Sequence, residues 1–171
     1  AIKEEPAFSY FIRGILEEDL STDIIWSSGV EFSILDFIAG MESLFNANAE
    51  LKYRLALYVA HAIGQDYEER NKYQDYERRK KYKDLISYLY DIRSKIAHGD
   101  GVNNIKNELE KCANVAVDLY KDLKYVEGSE KCAKVAEYVL RGLLNIYLSQ
   151  YLAKGKSKED FIEDIERKIL S

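Results

Sequence analysis

Apolar residues recur at helical spacing along most of the chain. The first stripe predicts a helix from Pro6 to about Glu18, because a proline at a helix start lacks only an N–H group that the helix does not use there. Similar stripes predict helices over 31–46 and 49–63, the latter ending at Gly64. No segment shows the sustained alternation of apolar and polar residues that marks a strand, so the pattern predicts an all-α fold.

The middle of the chain combines a charged segment with a sharp apolar stripe. Residues 67–81 are highly charged and helix-prone, but they lack a strong apolar stripe. From Tyr82 onward a clear stripe appears, and we expect it to face the core. We expect this helix to end at Gly99, because Gly-Asp-Gly follows. The stripe consists of Leu85, Leu89, Ile92 and Ile96.

Turn and capping residues divide the last third of the chain. Asn103 or Asn104 is expected to cap the next helix, and Gly128-Ser129 is expected to break it. A long helix is then predicted to run to about Ala153 and to stop at Gly155.

A capping box and one loop complete the prediction. Ser157-x-x-Asp160 resembles a capping box for a last helix. Residues 19–30 are predicted to form a loop, with Trp26 inserted into the core. The sequence therefore predicts a single domain over residues 1–171, a helical bundle of about six to eight helices. Its first 29 residues would form an N-terminal helix and loop.

Composition and charge narrow the functional classes. The chain has 171 residues, of which 47% are hydrophobic and 32% charged, which suits one domain and is too apolar for a disordered chain. Its net charge is −5, whereas a general nucleic-acid binder is usually basic. Any nucleic-acid contact must therefore come from a local basic patch, although a solvated helix face is the simpler interpretation of such a run. The one dense run consists of Arg78, Arg79, Lys80, Lys81 and Lys83.

Cysteine, histidine and hydropathy indicate the compartment. Cys112 and Cys132 form no CxxC pair, so two buried thiols in a reducing compartment are expected, with a disulfide as the minority alternative. His61 lies in an apolar stretch and is interpreted as a satisfied core or interface histidine. Two histidines and two scattered cysteines do not suggest a structural zinc site. With no apolar run of roughly 20 residues and no signal peptide, we expect a cytoplasmic protein without membrane contact, metal or cofactor.

One short segment carries candidate chemistry. Arg93 and His98 stand five positions apart, just before Gly99. The guanidinium fork matches phosphate oxygens, and the imidazole can exchange a proton near neutral pH. Together they suffice for RNA cleavage without a metal. The histidine would take the proton of a 2′-hydroxyl or protonate the leaving oxygen, and the arginine would stabilise charge on the phosphate.

Helical geometry limits how the two side chains can cooperate. Five steps of roughly 100° place Arg93 and His98 about 140° apart on a regular helix. They would share a face only if the last turn unwound near Gly99, or if a second copy of the domain completed the site. Tyr90, Arg93, Ala97 and His98 would then line a groove or a dimer interface. Electrostatics alone offers another explanation, because cations near a helix C-terminus interact favourably with the helix dipole.

The segment from Tyr90 to Gly99 also resembles the signature of the HEPN superfamily, in particular its Apea-like branch. That superfamily shows Arg, four to six residues and then His, and the branch tends to show Tyr-Asp-x-Arg-Ser-Lys-x-x-His-Gly. The stretch 37–44, which carries an acidic residue, and the stretch 137–141 agree more loosely with other family segments, as do 51–57 and 68–70. The resemblance covers roughly residues 30–170.

The resemblance implies a fold, an activity and partners. HEPN domains are small helical bundles that usually dimerise, so that two Arg/His motifs meet in a cleft. Many are metal-independent endoribonucleases that act as toxins or as defence effectors. Arg93 and His98 map onto the catalytic pair, and Tyr90, Ser94 and Lys95 are the accompanying candidates for substrate binding. A homodimer, RNA, a cognate antitoxin and an upstream domain are the implied partners.

Two alternatives remain open at the level of sequence. Some HEPN domains have lost activity and bind nucleotides, RNA or proteins, or assist nucleotidyltransferases. A plain helical interaction domain, in which the motif is coincidental, is the third possibility. The placement of Arg93 and His98 distinguishes these readings.

Overall fold

The computed structural model describes residues 5–21, 28–46, 50–64, 72–99 and 102–171. Within these ranges the regular structure is entirely helical, with seven α-helices and no strand, so the predicted all-α bundle is confirmed. The helices are α1 (Pro6–Ser21), α2 (Ser28–Phe45), α3 (Leu51–Ile63), α4 (Lys72–Ala97), α5 (Val102–Leu119), α6 (Glu130–Ile146) and α7 (Lys158–Leu170). Trp26 lies outside the described residues, as does Asp66, for which the sequence predicts the cap of the helix after Gly64.

Helix α2 lies in the middle of the bundle and packs most closely on α1. The Ser33 hydroxyl donates a hydrogen bond to the Gly14 carbonyl at 3.0 Å. A Cβ atom at Gly14 would lie 2.4 Å from the Phe37 ring, so only glycine permits this approach. The Arg13 guanidinium is paired with the Asp36 carboxylate beside this contact, with its Nε atom 2.6 Å from Oδ2. The first helix is therefore an integral layer of the bundle.

Helices α3 and α4 form an antiparallel pair. At one end of the pair the Lys52 ammonium lies 2.7 Å from the Asp91 carboxylate. At the other end α3 stops at Gly64, as predicted, directly against Arg79. Helix α4 continues through the described part of the charged segment and buries the predicted apolar stripe. Its buried residues are Tyr82, Leu85, Ile86, Leu89 and Ile92, with Ile96 packed at the edge of the core.

The start of α5 differs from the sequence prediction. The helix begins at Val102, so Asn103 and Asn104 lie inside its first turn and neither is the cap. Their amide side chains suit caps and turns, but the backbone already follows the helix when it reaches them.

The end of α5 also differs. It stops at Leu119, well before Gly128, and a 3₁₀ turn follows over Lys121–Tyr125. Tyr120 leaves the helix with extended backbone angles, and its ring packs edge-on against both Tyr82 and Tyr138. This aromatic contact between distant residues overrides a local helical pattern, which sequence spacing alone does not reveal.

The predicted long helix toward Ala153 is continuous but irregular. After α6 the chain forms a π-helical turn over Tyr147–Tyr151 and a 3₁₀ turn over Leu152–Lys154, then stops at Gly155 with φ of 70°. The rings of Tyr147 and Tyr151 both pack on Phe161 of α7, which accounts for the shifted register. The capping box at the start of α7 is confirmed: Ser157 and Asp160 exchange side-chain-to-backbone hydrogen bonds.

Two further expectations can be compared with the structure. Cys112 and Cys132 are both buried, and neither forms a disulfide. The hydrogen bond with the Cys132 side chain, and then burial, raise the pKa of Cys112, so the Cys112 thiol behaves as a core residue. Among the described helices, none is long and apolar enough to cross a membrane.

Candidate active site at the end of α4

The last turn of α4 keeps its backbone hydrogen bonds as far as Gly99, the last residue of the motif segment. The His98 N–H donates to the Ser94 carbonyl at 3.1 Å, and the Gly99 N–H donates to the Ile96 carbonyl at 2.9 Å. Gly99 then reverses the chain with φ of 82°. The turn therefore stays helical up to His98, and helical periodicity keeps Arg93 and His98 about 140° apart within one chain. Because the last turn does not unwind, Arg93 and His98 can share a site only if a second copy of the domain completes it.

Arg93 is held by residues from two helices. Its Nη2 atom lies 3.5 Å from the Glu42 Oε2 atom of α2. Its guanidinium carbon lies 5.6 Å from the centroid of the Tyr90 ring, one turn earlier on α4. The contact with Glu42 is at the outer limit of a hydrogen bond, and Glu42 is the only carboxylate paired with Arg93 among the described residues. Because 31% of the Arg93 side chain is exposed, most of its donors can still reach an anion.

The carboxylate of Glu42 is partly desolvated. Its side chain is 17% exposed, and its Oε1 atom is buried without a hydrogen-bond partner in the described part of the chain. Burial raises the pKa of Glu42, and the charge of Arg93 opposes that effect only in part. The pKa of Tyr90 is also raised, first by burial and then by Glu42. A phosphate that entered this cluster would interact with Arg93 more strongly than it would in open water.

Lys95 points toward α5. Its Nζ atom lies 2.8 Å from Glu108 Oε1 and 3.1 Å from the Asn104 carbonyl oxygen. The hydrogen bond from Lys95 holds the pKa of Glu108 below its ordinary value. Lys95 thus braces α4 against α5, and its assignment to substrate binding stays a prediction. Ser94 is half-buried and supplies the carbonyl that holds His98.

His98 stands at the exposed tip of the helix. It is the first residue beyond α4, and its side chain is exposed, as is that of Ala97. An imidazole in water at a helix end is available to a substrate or to a second copy of the chain. One protomer therefore presents a positioned guanidinium and an exposed imidazole on different sides of the same helix end.

Sequence reasoning did not assign a role to Glu42. The only local signal is an acidic side chain within the apolar stripe of α2. Its partner Arg93 is 51 positions away, and only the packing of α2 against α4 brings them together. The local spacing of residues in the sequence therefore could not predict the pair between Glu42 and Arg93.

The dense basic run does not form one surface. Arg78 lies over the Tyr82 ring, with its guanidinium carbon 5.8 Å from the centroid. Lys81 is paired with Asp118 of α5, at 3.1 Å. The other members of the run turn toward α3. The interpretation as a uniformly solvated face is therefore incomplete.

Comparison with protein-family models, with curated proteins and with solved structures gave no match for this chain.

Proposed function

We propose that this protein is a metal-independent endoribonuclease of the HEPN type that acts as a homodimer. The supporting observation is the end of α4, where Glu42 holds a partly exposed Arg93 guanidinium and the His98 imidazole is exposed at the same helix end. The resemblance of the Tyr90–Gly99 segment adds the expectation of a toxin or defence effector. Because the two groups lie on different sides of one helix, the proposed site needs two copies of the chain.

The chemistry follows from the two side chains. One His98 imidazole takes the proton of a ribose 2′-hydroxyl, and the 2′-oxygen attacks the adjacent phosphorus. The bond from phosphorus to the 5′-oxygen breaks, a water molecule protonates that leaving oxygen, and the imidazolium then returns its proton to the hydroxide formed. Arg93 donates hydrogen bonds to the non-bridging oxygens as negative charge builds on them. The products are a 2′,3′-cyclic phosphate and a 5′-hydroxyl.

A non-catalytic module that binds nucleotide, RNA or protein is the alternative. The observation that favours it is the separation of Arg93 and His98 within one chain, together with the ion pair that Arg93 already makes. This alternative requires the same fold and no cleavage of any RNA.

Cleavage assays distinguish the two functions. Purified protein is incubated with single-stranded RNA in EDTA, and the ends of the fragments are analysed. We expect cleavage by the unaltered chain, and none by Arg93→Ala or His98→Ala. Arg167→Ala is the matched control, because Arg167 lies on α7 with 74% of its side chain exposed. Cleavage that survives both motif substitutions, in variants that melt like the original, contradicts the assignment.

Mixing the two inactive variants tests the dimer. If Arg93 of one protomer works with His98 of the other, a mixed dimer of Arg93→Ala and His98→Ala retains one intact site. Activity should therefore return on mixing, while each variant alone stays inactive. The test requires that the original chain is active and that the mixed variants exchange subunits. If activity does not return under these conditions, the site is not shared between protomers in this way.

A further inference from the structure

A groove between α3 and the first half of α4 has a composition unlike the rest of the surface. It encloses a cavity of about 490 Å³. Three cations, a tyrosine and a carboxylate of α4 line it, opposite a histidine and the apolar Leu57 and Ala60 of α3. The polar residues of this lining are Arg79, Lys80, Lys83, His61, Tyr76 and Asp84. The groove lies far from the Arg93 end of α4, and the proposed chemistry does not use it.

The positive charge of the groove is carried by three side chains of α4. In the described part of the chain, none of Arg79, Lys80 and Lys83 forms an ion pair, even though Asp84 lies in the same wall. Their neighbour Lys81 does, with Asp118. Three neighbouring cations without an ion pair in the described part of the chain therefore line one groove, although the net charge of the chain is −5. Such a groove attracts polyanions without needing a basic protein.

His61 adds an unsatisfied group to the same wall. It is half-buried rather than in the core, and its Nδ1 atom is buried without a hydrogen-bond partner among the described residues. Of the predicted core or interface histidine, the satisfied core position is therefore wrong, and the interface position stays a prediction. Burial lowers its pKa, and the nearby charges of Arg79 and Lys168 lower it further. A neutral imidazole of this kind can bond to a base edge or a sugar hydroxyl.

Two tyrosines at the groove expose their rings. Tyr76 is 58% exposed and Tyr53 is 55% exposed, which is unusual for large aromatic residues. Tyr53 lies one helical turn before the groove residue Leu57, and the Lys83 ammonium is 5.0 Å from its ring centroid. Exposed rings beside unpaired cations are the two elements with which proteins hold single-stranded nucleic acid.

One face of α4 connects the groove with the candidate active site. Accessible residues follow one another at steps of four and three, which keeps them within about 40° of one line along the helix. His98 continues the same line one turn later. The face consists of Tyr76, Lys80, Lys83, Ser87, Tyr90 and Ser94, none of which is buried.

We propose that the groove between α3 and α4 binds a single-stranded segment of RNA and leads it along α4 toward His98. Bases stack on Tyr53 and Tyr76, and the phosphates contact Arg79, Lys80 and Lys83. Single strands fit because stacking on a side chain requires a base that is not already paired and stacked in a duplex. The choice of RNA as the ligand rests on the proposed ribonuclease function. The cations and exposed rings of the groove are observed independently of that function.

Binding is measured in a background that cannot consume the probe. Fluorescently labelled single-stranded RNA is titrated with the His98→Ala chain in EDTA, with and without Arg79→Ala/Lys80→Ala/Lys83→Ala. The control carries Lys111→Ala/Lys121→Ala/Lys154→Ala, three exposed lysines elsewhere, and loses the same charge. We expect the groove variant to reduce the slope of log affinity against log salt by roughly 2, and the control to leave it nearly unchanged.

Substitution of the tyrosines tests stacking separately from charge. Tyr53→Ala and Tyr76→Ala should each weaken binding about fivefold or more, as expected for loss of one base stacked on an aromatic ring. Tyr125→Ala is the matched control, because Tyr125 is 80% exposed and also lies beside a lysine. It should leave the dissociation constant unchanged.

The outcomes separate this inference from the proposed catalysis. If RNA binding requires the groove residues but the chain cleaves no RNA, the groove inference is supported and the proposed ribonuclease function is wrong. Cleavage by the original chain, with equal binding by the groove and control variants, overturns the groove alone. Equal affinity for double-stranded RNA, or binding of a nucleoside monophosphate without binding of RNA, also overturns the inference.

Discussion

The two halves of α4 carry cations in opposite ways. In the C-terminal half, Arg93 is paired with Glu42, lies over Tyr90 and is only partly exposed. In the N-terminal half, Arg79 and Lys83 have no acidic partner in the described chain and line an open groove. One helix thus presents a positioned cation at one end and unpaired cations at the other.

This difference assigns different work to the two ends. A guanidinium with a fixed direction can meet charge that develops at one point in a transition state, which lowers a barrier. Unpaired cations attract a phosphate chain but do not fix it, which raises affinity and makes it sensitive to salt. We therefore expect substitutions at the C-terminal end to lower kcat, and substitutions in the groove to raise KM.

The largest expected contrast comes from exchanging arginine for lysine at each end. Arg93→Lys keeps the charge but loses the planar fork, and we expect kcat to fall about 100-fold with little change in KM. Arg79→Lys keeps the positive charge, which is the only property of Arg79 that we expect RNA binding to use. We therefore expect kcat and RNA affinity to change by no more than about twofold, which is less than the loss of one phosphate contact would cause. Single-turnover cleavage assays measure both. Equal losses at both ends would remove the distinction between them.

Gly64 tests how the groove is built. A Cβ atom there would lie 2.7 Å from the Cγ atom of Arg79 and 2.2 Å from the Ala60 carbonyl oxygen. We expect Gly64→Ala to lower the free energy of unfolding by about 1–3 kcal/mol, as overpacking does, and to weaken RNA binding while kcat is kept. Denaturant unfolding gives the first quantity and titration gives the second.

A second glycine provides the control for Gly64. Gly142 lies inside α6, and a Cβ atom there would meet only Ile63 Cδ1, at 3.4 Å. Gly142→Ala should therefore be neutral or stabilising by up to about 1 kcal/mol, because alanine favours a helix. If both variants behaved alike, the close approach at Gly64 would not shape the groove.

The sequence predicted α4 well and its surroundings poorly, for a physical reason. The apolar stripe from Leu85 to Ile92 and the end near Gly99 follow from helical periodicity and from the left-handed backbone that glycine favours. Such signals are local, because neighbours on a helix face are three or four positions apart. Spacing alone therefore predicts Arg93 in the last part of the helix and His98 at its end, where the structure has them.

The remaining features depend on contacts between distant segments. Glu42 of α2 meets Arg93 of α4 across 51 positions, and Tyr53 of α3 meets Lys83 of α4. Tyr120 ends α5 early by packing on residues of two other helices. None of these contacts follows a helical or strand period, so the periodicity of one sequence does not reveal them.

Glu42 should affect catalysis more than stability. We expect Glu42→Gln to lower kcat about tenfold, because the neutral amide orients Arg93 less firmly, while KM stays similar. Burial raises the pKa of Glu42 above 4.5, so the original chain loses stability as pH rises through that pKa. The variant lacks this titration and should be as stable as the original at pH 7, or more so.

The exposed Glu110 of α5 provides the comparison for Glu42. Glu110→Gln removes the same charge and should change neither kcat nor stability. If Glu42→Gln unfolded the chain, or raised KM without lowering kcat, the carboxylate would serve the fold or the substrate rather than the direction of Arg93. Melting curves recorded from pH 4 to pH 8, together with kcat and KM, separate these cases.

Gly99 gives the smallest expected effect and the clearest contrast with Gly64. A Cβ atom at Gly99 would meet nothing within 4 Å, so the cost of substitution lies entirely in the backbone, whose φ is 82°. We expect Gly99→Ala to cost about 1 kcal/mol, and Gly99→Asn to cost less, because asparagine tolerates the left-handed conformation. His98 precedes this residue directly, so kcat should fall with the alanine variant and recover with asparagine, while RNA binding in the groove stays unchanged. A loss of binding equal to the loss of kcat would show that the two ends of α4 act as one site, because a backbone change confined to the last turn would then have reached the groove.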